Sequence, residues 1–143
     1  MIASTVTHPE VLASLARTGH GSTVLVTDGH WAVNRVGRQA RTVFLNLTAG
    51  TPTVPEVASA VRDTVRIDRI TQMRPGPEGL PSEVQDQTAE LFPADVPRSL
   101  VSREEFYALA GSDDLVLAVV TGDLRKFGNV LLHVGVLPAA ELS

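Results

Sequence analysis

The stretch 115-LVLAVVTGDLRKFGNVLLHVGVL-137 holds two apolar runs, 115–121 and 130–137, separated by the polar segment 121-TGDLRKFGN-129. Neither run alternates apolar with polar residues, as a strand with one wet face would. Short, Val-rich apolar runs bounded by turn residues read as strands buried on both faces, which happens when helices cover a sheet on both sides. The pair therefore predicts an α/β fold. Working outward, His8-Pro9-Glu10 before VLASLAR predicts a helix start, with proline at the first helical position and an acid in the first turn. Val11, Leu12, Leu15 and Ala16 give that helix an apolar face, and Gly19 stops it. Val24 to Thr27 reads as a strand, 29–41 as a loop, and 43-VFLNL-47 as a second strand before the breaker-rich 48-TAGTPTVP-55.

Pro55-Glu56 opens a second helix over about 55–66. The five glycines and prolines between 75 and 81 predict a long exposed connection over 67–81, either a plain loop or a subunit contact. A third helix, 82-SEVQDQTAELF-92, ends before Pro93. Ser102 and Glu105 form a capping-box pattern at the head of a fourth helix, about 103–110. The expectation is a single α/β domain over 1–143, a central, mostly parallel sheet flanked by helices.

Composition narrows the function. The chain has 143 residues, enough for one domain, and no cysteine, which excludes disulfides, thiolate metal sites and cysteine nucleophiles. That is compatible with a reducing, cytoplasmic setting. A net charge of -4, with eleven scattered arginines among twelve basic residues, argues against a nucleic-acid partner. MIASTVTHPE lacks the basic start and apolar stretch of a secretory signal, and the apolar runs are too short to span a membrane. The sequon Asn46-Leu47-Thr48 carries no weight without such a signal.

Metal and nucleotide chemistry find no motif. His20 and His30 lie ten residues apart, and neither His8 nor His133 has an acid or histidine at ligand spacing, so no metal is expected. Gly19-His20-Gly21 sits between a helix and a strand, the reverse of a dinucleotide-binding unit, and no phosphate loop is present. Ser22 lacks the G-x-S-x-G setting of a hydrolase nucleophile. There remain His20, Asp28, His30 and the segment 121–129, all beside strand ends, where α/β sheets bind ligands. Histidine, with a pKa of about 6.5, can give and take protons without a cofactor. Read alone, each residue also has a structural role. His20 suits a turn between glycines, Asp28 an Asx turn with Gly29, Arg103 a solvated helix start, and Asn129 a turn after Gly128.

Order and spacing add a resemblance. The segment 8-HPEVLASLARTGHGSTVLVTDGHW-31 resembles the opening of the D-ribose pyranase / L-fucose mutarotase (RbsD/FucU) family: a Pro-Glu helix, Gly-His-Gly, a short strand and an Asp-x-His corner. 46-NLTAGTPTVPEV-57 is similar to its Leu-Thr-x-Gly-x-Pro segment. 102-SREEFYALAGSDDLVLAVVTGDLRKFGNVLLHVGVL-137 is similar to its fucose branch. The resemblance spans nearly the whole chain and is weakest over about 67–100. It implies an RbsD-like fold and interconversion of sugar anomers, with L-fucose or a related aldose as the substrate, without cofactor or metal. It implies His20 as the catalytic histidine, and Asp28, Arg103, Phe127, Gly128 and Asn129 as the sugar-binding residues. It also implies homodecamers of two stacked pentameric rings, with sites at subunit interfaces and the C-terminal stretch reaching the site from a neighbour. Three departures stand out: Phe127 replaces the family tyrosine, Ser22 the aspartate usual in the fucose branch, and Trp31-Ala32 a Phe-Pro-type corner.

Mutarotation opens a cyclic hemiacetal and closes it on the other face, with one proton moving onto the ring oxygen and one off the anomeric hydroxyl. His20 would serve as general acid, Asp28 would fix hydroxyls, and Arg103 and Asn129 would bind them. Trp31 either stacks on the sugar or packs in the core, and His30 either faces the pocket or does not. If residues 20–28 were extended, their ends would lie roughly 26 Å apart, so 20–23 must turn sharply for His20 and Asp28 to face one sugar. The rival readings are a D-ribose pyranase, a non-catalytic sugar-binding or transport accessory protein, and an assembly module with a vestigial pocket.

Overall fold

Six strands form one sheet in the order β2-β5-β1-β6-β3-β4, in a computed structural model that describes residues 1–142. The strands are β1 (Thr23–Thr27), β2 (Arg41–Phe44), β3 (Ile67–Met73), β4 (Arg98–Val101), β5 (Leu115–Val120) and β6 (Val130–Val134). β6 runs antiparallel to both its neighbours, and the other three pairings are parallel, so the sheet is mostly parallel as expected. The helices are α1 (Pro9–Ala16), α2 (Val54–Arg62), α3 (Glu83–Ala89) and α4 (Arg103–Ala110). Among the described residues, no helix is long and apolar enough to cross a membrane.

The two apolar runs are buried on both faces because the helices split across the sheet. Val24 and Val26 of β1, Leu117 and Val119 of β5, and Val130 and Leu132 of β6 pack with α1, α2 and α3. Their alternates Leu25, Ala118 and Leu131 face the other way, onto Phe106 and Ala110 of α4 and onto Trp31. Burying one Val or Leu side chain contributes about 1.5–3 kcal/mol, so both layers are needed to cover the sheet.

Each helix begins on a side chain that satisfies otherwise unpaired backbone N–H groups. The ring Nδ1 of His8 accepts from the N–H groups of Glu10 and Val11. Thr53 caps α2 and Ser102 caps α4, each through its hydroxyl oxygen. The reciprocal capping box closes at Ser82 and Gln85, ahead of α3.

The expected long connection over 67–81 is corrected by the structure. Its first half is β3, an internal strand between β6 and β4. The register slips between Ile67 and Arg69, so Asp68 and Arg69 both reach solvent and the period-2 signal is lost. β4 was not foreseen either: it is a four-residue edge strand, only partly buried. The second strand starts at Arg41 instead of Val43, and α2 stops at Arg62 rather than near 66.

Candidate functional site

Five of the six strands run the same way, so the chain leaves β1, β3, β4 and β5 at one end of the sheet, while β6 enters there. That end gathers 28–31, the N-terminus of α4 and the segment 121–129. The Thr121 hydroxyl and N–H both donate to the Thr27 carbonyl, at 2.7 and 3.1 Å, and Gly29 N–H donates to the Asp123 carbonyl at 2.7 Å. The carboxylate of Asp123 accepts from the Val54 N–H at the start of α2 and from both Nε and a terminal nitrogen of Arg125. Burial alone would raise the Asp123 pKa; the hydrogen bonds from Arg125 and Val54 outweigh it and hold the carboxyl below its ordinary value.

On this brace sits a cavity of about 290 Å³, walled by Asp28, His30, Arg103, Lys126, Phe127 and Asn129. Asp28 is 2% exposed. Its Oδ1 accepts from the His30 N–H at 2.9 Å, the Asx turn expected there, and its Oδ2 from the Gly128 N–H at 3.2 Å. Its own N–H donates to Asn129 Oδ1 at 3.0 Å. Burial pushes the Asp28 pKa up, against the pull of those two N–H donors. Two N–H bonds leave lone pairs on this carboxylate for ligand hydroxyls. Phe127 holds the 125–129 turn in a left-handed conformation, φ 62°, which costs a bulky residue on the order of 1 kcal/mol. Arg103 lies across the Tyr107 ring, 5.4 Å from its centre, and Arg35 covers the same ring at 4.6 Å. Trp31 stands edge-on to Phe106 at 5.7 Å and is nearly buried, so it is core and pocket wall at once.

The structure thus brings together Asp28, Arg103, Phe127, Gly128 and Asn129 within one chain. It does not bring His20 to them. Gly21, at φ 90°, and a bond from the Gly19 N–H to the Ser22 hydroxyl do make the sharp turn at 19–22. This is the work done by Ser22. The turn leaves His20 exposed at the opposite end of β1, about 17 Å of strand away from Asp28. The expectation that both residues face one sugar inside a single chain is corrected accordingly. The stretch 127–129 meets Asp28 within its own chain, and His20 is the residue left apart. His20 borders another cleft, of about 520 Å³, with Asp68, Arg69, Asp114 and His133.

His30, left open from sequence, does line the Asp28 cavity, and its Nε2 lies 2.9 Å from the Leu124 carbonyl. Lys126 and Tyr107 were missed. Lys126 lies in the polar segment already singled out, and Tyr107 lies four residues, one helical turn, after Arg103. Among the described residues, no three His, Cys, Asp or Glu side chains converge as a metal site.

Over residues 1–137 the chain matches the RbsD / FucU transport protein family. A D-ribose pyranase from Streptomyces avermitilis is 36% identical to it over 126 residues, 86% of this chain and 88% of that one. A fucose mutarotase from Danio rerio is 26% identical over 144 residues, covering 93% and 91% of the two chains. The structure of Bacillus subtilis RbsD complexed with D-ribose has a TM-score of 0.83 against this one, covering 96% of this chain and all of the other at 20% identity. At that identity the likeness shows the fold.

Proposed function

The chain belongs to the RbsD/FucU family, and from that premise we propose that it is a cofactor-independent isomerase, a mutarotase interconverting the α and β anomers of L-fucose or a related aldose. The observation that carries this reading is the convergence of Asp28, Arg103, Phe127 and Asn129 on one cavity, braced by Gly128. Asp28 and Asn129 offer acceptors and a donor for hydroxyls, and Arg103 a planar fork suited to a vicinal pair. Phe127 supplies an apolar wall for the sugar's C–H face. His20 acts as general acid to the ring oxygen, and because it lies a strand's length from Asp28, a neighbouring copy must present it. A homodecamer of two pentameric rings, sited in the cytoplasm and built from one domain per chain, belongs to the same proposal. The implied partner is the monosaccharide alone, with neither nucleic acid nor membrane.

A second reading has its own support. The D-ribose pyranase relative is the more alike in sequence, 36% against 26% for the fucose mutarotase, which favours ring interconversion of D-ribose. Against it, Phe127 lacks the hydroxyl that the family's tyrosine brings to this corner. Exchange NMR on anomeric mixtures of L-fucose, D-ribose and related aldoses separates the two readings. Accelerated α/β exchange with one sugar, lost in His20→Ala by about 10²-fold or more, is the expected result. Pyranose–furanose exchange of D-ribose would establish the second reading. Binding without any acceleration would make the protein a sugar carrier and overturn both.

A further inference from the structure

We infer that His30 is a catalytic residue of this site, the base that takes the proton from the anomeric hydroxyl. The inference rests on the mutarotase reading and deepens it, since ring opening needs a base as well as an acid. Of the four histidines, only His30 stands in the Asp28 cavity. His8 is spent on the cap of α1, His20 lies at the far end of β1, and His133 is bonded through both ring nitrogens to Arg69 and Thr71.

The His30 ring is held in a definite tautomer. A carbonyl oxygen can only accept, so the 2.9 Å contact with Leu124 requires the proton on Nε2. The neutral ring then carries its lone pair on Nδ1, which makes no hydrogen bond among the described residues. The main chain fixes the residue as well, through the His30 N–H on Asp28 Oδ1. The carboxylate that holds the sugar thereby sets the position of the base.

The step balances. Nδ1 takes the proton of the anomeric O–H, and the electrons of that bond form the carbonyl at the anomeric carbon. The bond from that carbon to the ring oxygen breaks, its electron pair stays on the oxygen, and the oxygen takes a proton from the acid, His20 of a neighbouring copy. After the carbonyl turns, closure on its other face reverses both transfers. The imidazole is neutral again and no co-reactant is consumed.

The test uses the assembled protein and whichever sugar the wild type turns over. His30→Gln keeps an amide N–H near the place of Nε2–H, to donate to Leu124, and lacks the lone pair of Nδ1. Its catalysed exchange should fall by about 10²-fold or more, with sugar affinity within about threefold of wild type. Added imidazole should restore part of the exchange in His30→Ala. Exchange by His30→Gln within about threefold of wild type would overturn the inference and leave the mutarotase reading intact. Loss of sugar binding in parallel with rate would also overturn it, making His30 a binding residue. A wild type that accelerates no sugar would remove the mutarotase reading and this base with it.

Discussion

His133 shows how far one fold shifts one side chain. It sits in the middle of an apolar run, 8% exposed, with Arg69 donating to its Nδ1 at 3.1 Å and its Nε2–H donating to the Thr71 hydroxyl at 2.9 Å. Burial, reinforced by the Arg69 charge, pushes its pKa down from 6.5 to about 4. The folded chain therefore takes up this proton later than the unfolded chain as pH falls. Stability from the neutral ring is complete above pH 6.5 and is lost progressively toward pH 4, by roughly 3 kcal/mol. Urea unfolding at pH 7 and pH 4.5 should show the greater part of that loss, about 2 kcal/mol, and His133→Gln should largely remove it. An undiminished loss in the variant would assign it to other groups. The sequence placed this histidine in a strand and denied it a metal, but Arg69 and Thr71 come from a strand that was not foreseen. The same holds at the candidate site. Asp28 and the Phe127-Gly128-Asn129 turn were legible as polar groups at strand ends, and they do meet. That His20 points elsewhere was not legible, because a turn at 19–22 is visible in glycines while its direction depends on the bonds of Gly21 and Ser22 to their neighbours.

Among the elements, β1, β5 and β6 were legible because helices cover both their faces, so almost every residue is apolar. β3 was not, because its bulge turns Asp68 and Arg69 outward together, and the glycines and prolines that follow look like a continuation of a loop. The exit from β5 shows how closely such elements are fitted. Gly122 donates to the Pro52 carbonyl at 3.0 Å and accepts from the Gly50 N–H at 2.7 Å, which locks the 48–52 loop over the strand end. A Cβ on Gly122 would overlap the Thr51 carbonyl oxygen and lie 2.6 Å from that of Thr48. Backbone carbonyls cannot swing aside as a side chain can. Gly122→Ala should therefore cost about 1–3 kcal/mol or more and shift Asp123, the brace beneath Phe127 to Asn129. Thermal unfolding and sugar titration would check this: a stable variant with unchanged affinity would show that the 48–52 loop gives way without disturbing the site.

At the scale of the whole molecule, the Asp28 cavity and the His20 corner lie at opposite ends of β1 in one chain. The chain also leaves apolar side chains in solvent near the sheet edge, Phe44 at 59% and Leu47 at 88% exposure. In the assembly proposed above, placing the His20 of one copy against the Asp28 of the next joins unlike surfaces, a head-to-tail contact of the kind that forms a ring when its rotation closes. This arrangement makes a prediction that a site within one chain does not. His20→Ala and Asp28→Asn should each be inactive as pure assemblies, since every site lacks one partner. Denatured together in equal amounts and refolded, they should form mixed assemblies in which about one quarter of sites pair an intact His20 with an intact Asp28. Anomer exchange should then recover to about one quarter of the wild-type rate and should fall on dilution to monomers. If both residues acted within one chain, no mixture of the two variants would contain a complete site. Activity would then stay at the level of the pure variants, and His20 would have to reach Asp28 by a rearrangement of its own chain.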